Sequence, residues 1–134
     1  MAKTKIGSNA VFSGPQKGFS TVADHVYAFS GEIAQTSAPS SEADLIMLDF
    51  TTGAEIIKGV ICFTEDSIGN DAVFFEITIN GSTVVLVHYD ATPPNEISIP
   101  YPITIPPLSH VVVKWGCSGN DSATAWITGR VYKI

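Results

Sequence analysis

The stretch 73-VFFEITINGSTVVLVHY-89 decides the fold. Asn80-Gly81 stands between two runs of strand formers. A two-residue type I′ turn needs φ > 0 at both central positions, and Asn and Gly accept that conformation more readily than other residues. Closing a hairpin on these two residues pairs Ile79 with Ser82, Ile77 with Val84, Phe75 with Leu86 and Val73 with His88. That set forms one apolar face, which needs a core. The opposite face then carries Phe74, Val85, Val87 and Tyr89 beside Glu76, Thr78 and Thr83. A hairpin lying over a single core is expected to be polar on its outer side. This one is not, so the pattern predicts a second surface packed on it.

Outward from the hairpin, almost nothing has a helical period. Pro, Gly, Ser and Thr punctuate short runs rich in Val, Ile, Phe and Thr, as an all-β sandwich or barrel requires. Strands are expected at about 21–33, 44–51, 55–65, 72–80, 83–90, 96–105, 110–117 and 123–132. Eight antiparallel strands point to a jelly-roll β-sandwich of two packed sheets. An immunoglobulin-like sandwich is the alternative, although its Cys–Trp–Cys arrangement is missing. Residues 1–20 read as an extended N-terminal arm and 21–134 as one sandwich domain. In jelly-roll order the fifth strand, 83–90, falls at a sheet edge. Such an edge is normally charged, bulged or covered, and no Lys or Pro interrupts this one.

Composition narrows the function. The chain has 134 residues, one domain's worth, and only 15% are charged, against roughly 25% in an average soluble domain. Its mean hydropathy is positive. The longest apolar runs are nevertheless four residues, as at 45–48 and 84–87, where a membrane helix needs about 20. A net charge of −6 with seven Lys and Arg leaves no basic stripe for phosphates, so nucleic-acid binding is not expected. The start, MAKTK, has no hydrophobic signal core. Low charge and high apolarity together predict a homo-oligomer.

No catalytic or metal constellation can be assembled. His25, His88 and His110 each stand alone, without the spacing of a metal site, and parity puts His88 on the core face of its strand. This leaves an enzyme of the cupin type, a jelly roll with clustered His and Glu ligands, as the weakest reading. The loop 65-EDSIGND-71 is oxygen-rich but lacks the spacing of a calcium loop. The turn 116-GCSGN-120 lacks the G-x-S-x-G spacing of a nucleophile elbow. Cys62 and Cys117 are read as buried free thiols. No cofactor is expected.

What remains is recognition by surface. In the last strand Ala123, Ala125, Ile127, Gly129 and Val131 form one face, small and suited to the core. Trp126, Arg130 and Tyr132 share the other face with two threonines, and these are residue types favoured at interfaces. They are candidates for contact with a partner or ligand. Phe74, Val85, Val87 and Tyr89 are the candidates for an oligomer interface. A carbohydrate-binding module would use similar aromatics, with Trp126, Tyr132 and Tyr101 as stacking platforms.

In its eight-strand layout, in 102-PITIPPLSHVVVKW-115 and in the ending 125-AWITGRVY-132, the chain resembles the small jelly-roll structural proteins of tailed bacteriophage virions. The resemblance covers about residues 20–134. It implies a non-enzymatic virion protein, assembled in a host cytoplasm and placed on the capsid surface. There it would act as a decoration or cement protein, a homotrimer with the major capsid protein as partner. A carbohydrate- or receptor-binding piece of a tail or head fibre is the alternative.

Overall fold

The computed structural model describes residues 16–34, 43–66, 72–89, 97–119 and 121–132. Among them the chain is all β, in eleven strands. These are β1 (Gln16–Lys17), β2 (Ser20–Val22), β3 (His25–Phe29), β4 (Ile33–Ala34), β5 (Leu45–Thr51) and β6 (Ile56–Asp66). They continue with β7 (Val73–Ile79), β8 (Ser82–Tyr89), β9 (Ile97–Ile105), β10 (His110–Cys117) and β11 (Ser122–Tyr132). One sheet runs β1-β5-β10-β7-β8; the other runs β2-β3-β11-β6-β9, with β4 also on β11. Every pairing is antiparallel except β1 with β5.

Numbering the eight main strands (β3 and β5 to β11) in chain order, the sheets read 2-7-4-5 and 1-8-3-6. That interleaving of early and late strands is the nested Greek-key order of a jelly roll. It agrees with the architecture expected from sequence and sets the immunoglobulin-like order aside. β8 is the edge of the first sheet, as expected. Asn80 (φ 51°) and Gly81 (φ 82°) make the turn that their residue types dictate.

The N-terminal part differs from expectation. The strand read as 21–33 is broken by a turn at Ala23-Asp24, where Ala23 takes φ 54°, so β2 and β3 form a hairpin instead. The arm read as 1–20 is sheet from Gln16 onward, since β1 lies beside β5 and β2 beside β3. The ring of Phe19, between them, meets Phe50 edge-on with centroids 5.2 Å apart. Residues 1–15 lie outside the described residues.

The core is the alternate residues of both inner faces. Phe63 of β6 reaches across to Phe75 of β7 with centroids 4.4 Å apart, and Trp115 of β10 stacks beside Phe75 at 6.4 Å. All three are fully buried, and Trp115 is in the core as its parity predicts. A bulge in β5 adds to this core. Val113 pairs with Leu48 and Lys114 with Ile46, so Met47 is the extra residue, and both Met47 and Leu48 are buried.

Two devices close the structure locally. At one end, Thr52 and Ser109 tie the β5–β6 loop to the β9–β10 turn. The Thr52 amide donates to Ser109 O at 2.8 Å. Thr52 Oγ1 accepts from the Ser109 amide at 2.9 Å and donates to Pro106 O at 3.0 Å. Both residues are buried, so these bonds satisfy backbone groups that water cannot reach. In the middle of the second sheet, Gly59 of β6 sits directly opposite Gly129 of β11. A Cβ on Gly129 would lie 2.5 Å from Lys58 O and 2.7 Å from the Gly59 Cα, closer than real side chains come. The strands approach at this point because neither residue has a side chain.

Gly129→Ala is therefore expected to destabilise the fold by about 2 kcal/mol or more, the scale of overpacking a close-packed site. Thr52→Val, which leaves the Ser109 amide unpaired, should cost roughly 1–3 kcal/mol. Urea unfolding of each variant against the parent chain measures both.

Candidate interaction surfaces

β11 is the middle strand of the second sheet, and its odd–even alternation holds throughout. Ala123, Ala125 and Ile127 are buried, whereas Trp126 is half-buried and Arg130 and Tyr132 are exposed. The neighbouring strands complete the surface. Trp126 has Phe29 on one side and Cys62 on the other, with Pro100 beyond. In the next row Thr128 lies between Tyr27 and Val60, with Pro102 beyond, and in the row after that Arg130 lies between His25 and Lys58. Tyr27 is 50% exposed and Phe29 36%. Three aromatic rings thus occupy one part of this face, and His25, Arg130, Lys58 and Tyr132 the other.

The cationic part is held together loosely. Arg130 Nη1 donates to Asp24 Oδ2 at 3.0 Å, and His25 Nε2 is 3.6 Å from the other oxygen of the same carboxylate. Both partners of the arginine pair are more than half exposed, so the pair orients the guanidinium but contributes little to stability. Asp24 itself is fixed by its carbonyl, which accepts the Val131 amide at 2.7 Å. Lys58 Nζ lies over the Tyr132 ring, 5.3 Å from its centroid.

Trp126, Arg130 and Tyr132 are therefore brought onto one face. Tyr101 is not. It pairs with Ile61 on the inner side of β9, with its ring edge-on to Phe63 at 6.0 Å. Tyr27 and Phe29 belong to the surface and were missed. The signal was present in 25-HVYAF-29, where Val26 and Ala28 are the core residues and the aromatics point the other way.

The opening hairpin needs a larger correction. Ile79 pairs with Ser82 and Thr78 with Thr83, but Ile77 then pairs with Val85, Phe75 with Val87 and Phe74 with His88. Val84 is the extra residue of a bulge. Beyond it every side chain of β8 changes face relative to the unbulged register, since the side-chain period is two. Val85 and Val87, expected outside, are half-buried against the core. The Tyr89 backbone pairs with Val73. His88, expected on the core side, is exposed and stacks on half-buried Phe74 with centroids 4.5 Å apart. Of the four residues expected to form an oligomer interface, Phe74 alone is seen to keep its outer position. Val84 at 50% and Leu86 at 66% exposure are the apolar side chains that β8 offers to solvent.

No group of three or more His, Cys, Asp and Glu stands together as a metal site among the described residues. Glu65, read as part of a solvated loop, lies within the last residues of β6 and is fully buried. Cys62 and Cys117 are both free thiols. Cys117 is buried, and desolvation pushes its pKa up despite hydrogen bonds from the Gly119 and Asp121 backbone; the charges of Asp121 and Glu65 push it the same way. Cys62, expected to be buried, is half-buried beside Trp126, and desolvation raises its pKa as well. His110 Nε2 and Asp49 Oδ1 lie 2.6 Å apart on the outside of the first sheet.

No family model matches the chain, and no curated protein does. Among solved structures, a chain of the infectious bursal disease virus, Gx strain, is similar, with a TM-score of 0.52 at 11% identity. The match covers 78% of this chain and 31% of that one. A chain of the Gt strain of the same virus matches at TM-score 0.46 and 11% identity, over 85% and 39%. The chain thus spans about a third of the length of the viral chains. The likeness to the Gx-strain chain shows a shared all-β sandwich fold.

Two measurements follow from the geometry. Ellman's reagent should label Cys62 faster than Cys117 in the folded protein, with both equal in denaturant. Because burial raises both thiol pKa values, each thiolate fraction at pH 8 is below that of a free cysteine, and labelling should climb further as pH rises above 9.

Proposed function

We propose that this chain is a non-enzymatic structural component of a virion. It would sit on the capsid surface as a decoration or cement protein, of the kind carried by tailed bacteriophages, and work as a homotrimer assembled in the host cytoplasm. The observation that carries this reading is the outer face of the second sheet. Tyr27, Phe29 and Trp126 expose aromatic area on the side of rigid strands, next to Arg130, Lys58 and Tyr132. Tyr, Trp and Arg concentrate binding energy at protein interfaces, and a surface of this shape suits contact with a protein such as the major capsid protein. The sandwich fold shared with a virus chain supports the same reading.

A second reading, a carbohydrate- or receptor-binding module of a tail or head fibre, is favoured by one specific feature. The rings of Tyr27, Phe29 and Trp126 stand beside the hydroxyls of Thr124 and Thr128 on neighbouring positions of one face, an arrangement suited to stacking a sugar ring.

Co-sedimentation with capsids lacking the protein distinguishes the two. Bound protein should fall at least tenfold for Trp126→Ala and for Arg130→Glu, because each removes or reverses an anchor of the face, with thermal stability nearly unchanged for Arg130→Glu. Capsid binding that survives both substitutions, together with glycan-array binding lost in Trp126→Ala, would move the module reading ahead. Light scattering of the purified chain should give a trimer mass.

A further inference from the structure

We infer that β8 is an assembly edge: it pairs antiparallel with β8 of a second copy across a two-fold axis, joining two five-stranded sheets into one continuous sheet. An edge strand presents a row of backbone N–H and C=O groups that can pair with another chain. Among the described residues the edge strands are β1, β8, β2, β9 and the two-residue β4. β1 is two residues long and β2 three. β9 is long, but Pro100 and Pro102 interrupt it while pairing across to Cys62 and Val60 of β6. Proline is tolerated on an edge where its missing N–H faces outward, so β9 lacks two donors along its free side. β8 runs eight residues with no proline. Its edge alone is both long and free of proline, regular from Val85 to Tyr89 beyond the bulge at Val84, and in a second copy the matching run is again β8. A surface that matches only itself gives a two-fold contact, and a two-fold axis between paired strands makes them antiparallel.

Side chains and charge agree with the backbone. Residues 82–89 contain no Lys, Arg, Asp or Glu, in a chain of net charge −6. Two copies can meet along β8 without opposing like charges. The carboxylate of Glu76, opposite Leu86 on β7, accepts the Thr83 hydroxyl at 2.6 Å. Exposed Val84 and Leu86 would face their counterparts on the second copy, since paired residues of adjacent strands share a face.

The contact area sets the strength. Eight residues at about 3.4 Å each give a strip roughly 27 Å long. A sandwich side about 20 Å deep then buries on the order of 500 Å² per copy, less than the roughly 800 Å² of a standard interface. The pairing is accordingly weak between free copies and becomes effective where copies are already held side by side. It rests on the strand edges and not on the virion reading, so either can fail without the other.

Analytical ultracentrifugation from micromolar to millimolar concentration, with amide hydrogen exchange on the same samples, tests it. The mass should double as concentration rises, whether from one copy to two or from three to six. The outward-facing amides of β8 should exchange at least tenfold more slowly in the concentrated sample. Leu86→Lys and Val84→Lys replace exposed side chains outside the core, and each should keep the folded circular dichroism spectrum while abolishing the doubling. The proposal is overturned if no doubling occurs, if doubling persists in folded Leu86→Lys, or if Trp126→Ala removes it instead. Protection of β8 that does not change with concentration would also overturn it, by showing that the edge is covered within one chain. The exchange experiment on the unmodified protein decides the matter even if a variant fails to fold.

Discussion

One extra residue, Val84, determines what this protein presents to its surroundings. Opposite the Ile77–Thr78 step the β8 ladder slips by a single position, and everything beyond the slip reverses. Val85 and Val87 help to seal the sandwich, while Leu86 and His88 turn outward. Without the bulge, Leu86 would complete the core, and Val85 and Val87 would lie on the outer face of the hairpin beside Phe74. With it, the apolar surface is divided between a sealed interior and a narrow exposed margin. The partition follows from the two-residue period of a strand, and it limits the self-contact that this edge can make.

The second sheet has its own organisation. Its inner face is unusually small toward the end of β11, where Gly129 meets Gly59. Its outer face carries the rings of Tyr27, Phe29 and Trp126 and, around Asp24, the side chains of His25 and Arg130. In a chain with an excess of acidic residues, this locally cationic and aromatic region stands apart from the rest of the surface.

Much of the architecture was legible in the sequence because period-two alternation is strong in most strands. The turn at Asn80-Gly81, the eight main strands, the core position of Trp115 and the outer position of Trp126, Arg130 and Tyr132 all follow from residue type and parity. The errors in the β7–β8 hairpin have one physical origin. In 84-VVLV-87 every residue is apolar, so parity carries no information, and a bulge there leaves no trace in the pattern. The inner position of Tyr101, by contrast, was legible, since it alternates with Pro100 and Pro102 on the side of Ile99, Ile103 and Ile105. The break at Ala23-Asp24 was invisible for a different reason. Alanine rarely takes a positive φ, and the turn is held by distant contacts of Asp24 with Val131 and Arg130. Tyr27 and Phe29 were readable by parity, since they alternate with the core residues Val26 and Ala28.

The position of β11 between β3 and β6 affects how the molecule comes into being. Residues 122–132 are the only bridge between the first strands of the second sheet and its middle ones among the described residues. β3 therefore has nothing to pair with but the short β2 until those residues are available. Pairings so remote along the chain form slowly, and β7 and β8 can close as a local hairpin long before them. During synthesis the greasy margin of that hairpin precedes the layer that will shield its other side, so early crowding of nascent chains is the stage at which this fold is most exposed to aggregation.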